Sequence, residues 1–426
     1  MDDWIAAVHL NKRAGFGDSP AVIQQWIRQG YTASVDALFP STLQDLQADV
    51  HPVGAESHQT RGEDFVRLRE AWVDRMVKTA NPFLEKMTLF WHNHFATAEY
   101  KVNSPALMLR QNNTLRRNAL GSFRQMLLDV TADPAMLIWL DNAKSTKRAP
   151  NENYGRELME LFTIGLTYTQ ADVVAAARSL TGYQLDRKTG QVRFVPARHD
   201  DGVKTLLGKT GNWGPEQVVD ILLEHPNCAP FVVTKLLRWF VHPDPPADWV
   251  RKFAQVFVQG GYHIGHLMKA IFLSDEFLST QAVGSLIKTP ADYVIRLVRM
   301  TGLSVPARQL DAVMTQCGMQ LFNPPNVGGW PGGRNWLSSA TMLARFNFAY
   351  QLARRTGAVV TAPGTGDGAT EDTIQRLLKE AGVTQPSAST VQALRDYAGK
   401  EAPGAGGQLV QQLRYLVWIS PEFQMC

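Results

Sequence analysis

A capping residue followed by proline recurs along this chain, and a run of apolar residues at three- and four-residue spacing follows it. Ser19-Pro20, Asn81-Pro82 and Ser104-Pro105 show the pattern, and Pro215 and Pro290 open similar runs. Proline has no N–H to donate and a φ already near the helical value, so it suits the first helical position; Ser, Asn or Asp before it can satisfy free amides of the first turn. Such punctuation commits a chain to many helices of modest length joined by short turns. The expected class is mainly α: a large irregular helical domain with a small β-hairpin and a C-terminal helical tail.

Periodicity places helices over 63–79, from Pro82 through Trp91, and over 106–119, 123–130, 154–161, 171–180, 215–223, 229–240, 248–259, 264–273, 290–300 and 338–353. Two short helices are expected within 1–50, a polar loop at 51–62 and a turn at Asp133-Pro134. Alternation at 183–185 and 191–195, joined by a turn-rich pentapeptide, predicts one hairpin. The polar stretch 198–215 reads as a long loop, and 317–336 is too rich in Gly and Pro for regular structure. Residues 1–356 form the main domain in this reading, 357–370 a flexible linker, and 371–426 a helical tail packed on that domain. The segments 271–277 and 417–423 echo one another, through either a shared helix-end motif or a degenerate duplication.

With 43 basic and 39 acidic residues the net charge is only +4. Binding to nucleic acid needs a concentrated basic stripe. The nearest candidates, Arg110, Arg116, Arg117 and Arg124, spread over several helix faces, so no nucleic-acid partner is expected. Three cysteines without CxxC spacing argue against a disulfide framework and against a cysteine zinc site. The first thirty residues hold no apolar signal core, and no stretch reaches the ~18 apolar residues of a membrane span. The chain as written reads as cytoplasmic.

Chemistry-bearing side chains concentrate between 82 and 160. His92 and His94 lie one residue apart, and on an ideal helix they diverge by about 200°. They could share a metal only if the helix ended between them. Neutral imidazoles suit a divalent transition metal, with Asp141, Glu152 or Glu160 as carboxylate ligands. Glu157 and Glu160, three residues apart, share a face and raise each other's pKa, which suits Glu157 for acid–base work. The competing expectation is a buried polar network in which Arg156 pairs with Glu160. A second cluster, His199, Asp200 and Lys204, gives another proton-transfer candidate in His199. Asn112, Tyr154, Asp200, Lys204 and Trp330 are the expected ligand contacts, and Arg156 would orient an anionic substrate. His9 could line the same pocket or be a core histidine. Trp330 and Trp336 could stack on a sugar or plug the core. GxSxG, Walker A and GxGxxG patterns are absent, and His92-Asn93-His94 matches the HNH nucleases in letters only.

The blocks 10–17 (LNKRAGFG), 90–97 (FWHNHFAT), 133–137 (DPAML), 140–142 (LDN), 151–165 (NENYGRELMELFTIG), 179–183, His199-Asp200 with Lys204, 324–327 (PPNV) and 329–331 (GWP) resemble the DUF1800 family, in order, from about His9 to Phe423. The resemblance implies a mostly helical bacterial protein of unknown function. It also implies a DUF1501-type partner, of alkaline phosphatase or sulfatase fold, and export in many relatives. The leading functional expectation is a metal-dependent enzyme, hydrolytic or oxidative, with the His and carboxylate residues lining one pocket. The alternative is a non-catalytic binding or accessory protein presenting a groove to a partner protein or glycan.

Overall fold

The structure, a computed structural model, describes residues 1–40, 42–55, 57–356, 367–400 and 406–426. It is mainly helical, with two short antiparallel strand pairs. Helix Pro82–His94 runs through the middle, and all its residues but Asn93 are buried. Phe83 packs on Phe39, Phe240 and Phe272, and Phe90 on Trp91, Trp239 and Phe240. A helix buried on every side ordinarily lacks charge. This one carries Glu85, held by Arg75 at 2.6 Å, Arg116 at 2.8 and 3.1 Å and the indole N–H of Trp72 at 2.9 Å. That hub ties the central helix to helices His58–Lys78 and Pro105–Asn118.

Most expected helices appear within a residue or two of their predicted ends. Two departures have local causes, and a third is an additional helix. Helix His58–Lys78 begins five residues early, because Ser57 and Thr60 form a capping box inside the tract expected as loop. Asp133-Pro134 starts helix Pro134–Trp139 rather than a turn alone, with Asp133 capping Met136 N–H at 3.0 Å. Helix Ala307–Gln316 was not anticipated.

The predicted hairpin forms between Tyr183–Leu185 and Val192–Phe194. A second, Lys204–Leu206 with Lys209–Gly211, occupies the stretch expected as a long loop. Its two-residue turn is Leu207-Gly208, at φ 49° and 79°. Such turns favour Asn-Gly or Asp-Gly, so leucine in the left-handed position hid it.

The expected linker 357–370 lies outside the described residues up to 366; residues 367–370 belong to helix Asp367–Glu380. The C-terminal helices pack against the rest. Lys12 donates to the carbonyl of Gly382 at 2.6 Å, Arg296 to that of Ala381 at 2.6 Å, and Arg345 to Gln424 at 3.1 Å. Of the echoed segments, Ser274 accepts Phe277 N–H and Ser420 accepts Phe423 N–H, the same local helix-end bond. Cys228, Cys317 and Cys426 are free and buried. Among the described residues no helix is long and apolar enough to cross a membrane.

Candidate functional site

Residues 92–94 advance by about 100° each around the central helix, and each reaches a different part of the chain. His92 Nε2 accepts the backbone N–H of Phe322 at 3.2 Å, and its ring sits among Trp72, Phe322 and Trp330. Burial drops its pKa to about 3, so the ring is neutral. Asn93 Oδ1 accepts Trp330 N–H at 2.7 Å. His94 Nε2 donates to the carbonyl of Phe162 at 3.1 Å; burial, then the charge of Lys235, holds its pKa well below the usual imidazole range. The helix runs through His94 rather than ending between the histidines, so the geometry required for a shared metal is not adopted.

The carboxylates are dispersed as well. Asp141, in left-handed backbone, pairs with Lys101 at 2.8 Å and Lys144 at 3.3 Å. Glu152 meets Arg156 at 3.1 Å and Gln170 at 2.9 Å, so Arg156 pairs backward with Glu152 and not, as expected, with Glu160. Glu160 takes the hydroxyl of Tyr168. Glu157 is partly exposed, its pKa raised by burial and then by Glu160. Asp200 holds Arg178 through two bonds, Lys204 donates to the Asp200 carbonyl, and His199 Nδ1 lies 2.9 Å from the Thr181 carbonyl. Tyr154 bonds Thr131 at 2.8 Å, while buried Asn112 has neither amide atom partnered within the protein. Among the described residues no three His, Cys, Asp or Glu side chains converge as a metal-holding group.

The helix that carries these glutamates changes character. Glu152–Glu157 is α-helical and Leu158–Thr163 is a π-turn, closed by Ile164 N–H on the Met159 carbonyl at 2.8 Å. Its last carbonyls have no helical donors. Four side chains supply them: Lys235 to Leu161 at 2.6 Å, His94 to Phe162, and Asn227 and Thr167 to Ile164 at 2.6 and 2.9 Å. Nothing in the local sequence signals this.

A cavity of about 810 Å³ lies beside the central helix, between helix Cys228–Phe240, the segment around Ser285–Thr289 and the loop carrying Trp330. Five basic side chains line it, Arg13, Lys86, Lys235, Arg238 and Arg334, against one Asp or Glu side chain, Asp292, with Cys426 also in the lining. Lys86 is ion-paired with Asp292. Burial, then Arg238, pulls the Lys235 pKa down to about 8. Phe90, Trp239, Trp330 and Trp336 supply aromatic wall. Trp330 and Trp336 are themselves only 6% and 4% exposed, plugging the core while showing an edge to the cavity.

Of the site residues expected from sequence, His94, Trp330 and Trp336 line this cavity. His9 is a core histidine, its ring 4.4 Å from that of Phe277, beside a smaller neighbouring hollow. The basic lining was missed, although Lys235 and Arg238 share a helix face at three-residue spacing.

Comparison with known proteins gives one match. The DUF1800 family model, described as a protein of unknown function, fits residues 9–425. No curated protein and no solved structure matches.

Proposed function

This chain belongs to the DUF1800 family, and we propose that it is a non-catalytic binding protein whose ligand occupies the cavity between the central helix, helix Cys228–Phe240 and the Trp330 loop. The observation that carries this reading is the cavity itself. At about 810 Å³ it falls in the range of small-molecule sites, and it combines aromatic wall with a few polar side chains. The residues with the most enzyme-like appearance support the same reading from the other side. His92, Asn93, His94, Asp141, Glu152, Glu160 and Asp200 are engaged in bonds that hold segments together.

Tryptophan fluorescence and thermal shift across a panel of mono- and disaccharides, neutral and charged, test the reading. A saturable response lost in Trp239→Ala is expected. Near-stoichiometric bound metal together with hydrolytic or oxidative turnover, both lost in His94→Ala, would replace binding with the metalloenzyme reading. A DUF1501-type protein, implied by the family, is the partner to co-express and examine by size-exclusion chromatography.

A further inference from the structure

We propose that the inner wall of this cavity is an oxyanion subsite, built on Arg13 and flanked by Lys235, Arg238 and Arg334, which selects a ring-bearing carboxylate or phosphate over its neutral counterpart. The inference rests on the binding reading above and names its ligand class.

Arg13 ends helix Asp3–Arg13, is 1% exposed and lines the cavity. One terminal nitrogen donates to the Ala282 carbonyl at 2.6 Å and to Ser285 Oγ at 3.1 Å. Its Nε and its other terminal nitrogen have no acceptor among the described residues. A buried guanidinium with idle donors is costly, because desolvation of the charge is repaid only by good hydrogen bonds and a counter-charge.

Cys426, then Asp292, are the charges that act on Arg13 against its burial, but neither bonds its idle donors. Asp292 Oδ1 takes Lys86, and Oδ2 takes the backbone N–H of Thr289 at 3.1 Å and its hydroxyl at 2.8 Å, closing the capping box of helix Pro290–Thr301. Behind Arg13 stand further basic side chains, Lys12, Lys288, Arg296 and Arg345; burial pulls Lys12 down to about 7 and Lys288 well below the usual lysine range, while Cys426 is the charge that opposes this at Lys12, Lys288 and Arg296. Their bonds go largely to neutral oxygens: Gly382, Phe423, Ala381, and Lys288 with Gln424. An anion bound in the cavity would favour the charged forms of these basic groups, as low-dielectric walls focus the field between them.

The side walls repeat the sign. Lys235 and Arg238 project from one face of helix Cys228–Phe240, and Arg334 comes from the opposite loop. Trp239, Trp330 and Phe90 give the ring of such a ligand an apolar surface, and arginine provides the forked donors that fit carboxylate and phosphate oxygens.

Titration calorimetry on the full chain with three probes tests this: glucose, glucuronate and glucose 6-phosphate. We expect at least one charged probe to bind about tenfold or more tighter than glucose, the worth of one charge-assisted bond. Which charged probe binds tighter distinguishes carboxylate from phosphate. Arg238→Ala and Arg334→Ala, whose side chains reach the cavity from its walls, should each weaken the charged probe severalfold and shrink its advantage over glucose. Arg13→Lys should weaken it further while keeping a charge in place. Equal affinity for all three probes, or charged-probe binding unmoved by every arginine variant, would overturn the subsite while leaving a binding cavity. Silence from all three probes would remove the subsite and count against the binding reading too.

Discussion

Asn93 Oδ1 accepts the backbone N–H of Trp330 at 2.7 Å across 237 residues of sequence. This amide anchors the Gly/Pro-rich stretch to the central helix, His92 holds the same stretch at Phe322, and His94 holds Phe162 of the π-turn. The sequence HNH is therefore a three-way latch. Its chemistry-like density arises because one helix turn must satisfy backbone groups from three directions in a dry interior, where unpaired groups are expensive.

Asn93→Ala should leave Trp330 N–H without its partner and cost about 1–3 kcal/mol. Gly329→Ala should cost at least as much. Its φ is +80°, and an added Cβ would fall on the Asn93 carbonyl and amide oxygens. Urea unfolding of both variants measures this; wild-type midpoints would show that the loop is held by something else.

His92→Ala removes the acceptor of Phe322 N–H and leaves space among Trp72, Phe322 and Trp330. A loss of about 2–4 kcal/mol is expected from the unmet N–H and the cavity together. Plasma mass spectrometry on chelator-washed wild type and variant supplies the contrast. Stoichiometric metal in the wild type that disappears in His92→Ala would contradict a purely structural role.

The helices were legible because their signals are local: a cap, a proline, and apolar residues returning each turn. The second hairpin was hidden by Leu207, a leucine in left-handed backbone at a turn position that favours Asn, Asp or Gly. The site was legible only in fragments. His94 and Trp330 stood out as residue types, but Arg13, Lys86 and Arg334 come from distant segments, and only the packing of the chain brings them to one cavity. The glutamates of 152–160 drew attention by proximity, yet a helix and its π-turn send them to separate partners.

Glu85 is a test of the central hub. Burial alone would raise its pKa, but Arg116 and Arg75 outweigh that and the net shift is downward. A carboxylate with a depressed folded pKa contributes stability that is present above its unfolded value, about 4.5, and is lost as pH falls below it. Glu85→Gln leaves Arg116 buried without its counter-charge and should cost about 3–5 kcal/mol at pH 7. The gap between variant and wild type should narrow toward pH 3 in denaturant titrations. A gap constant with pH would mean that the charge of Glu85 is not what holds the hub.

Asp133 should act with the opposite sign. Its Oδ1 accepts hydrogen bonds from Met136 N–H and Gln111 Nε2, both at 3.0 Å, while Oδ2 is buried without a partner among the described residues. Burial pushes its pKa up to about 7, against the milder pull of the Met136 N–H and Arg110. Between about pH 4 and pH 7 the folded chain holds a proton that the unfolded chain has released, so stability falls as pH rises through that window. At about 1.4 kcal/mol per pH unit, the full effect approaches ~4 kcal/mol. Asp133→Asn keeps the oxygen that caps Met136 and cannot ionise. The variant should match or fall slightly below wild type at pH 5 and exceed it by pH 8, a crossing that urea midpoints at the two pH values would reveal. If Asp133→Asn loses as much stability between pH 5 and pH 8 as the wild type does, the proton resides elsewhere.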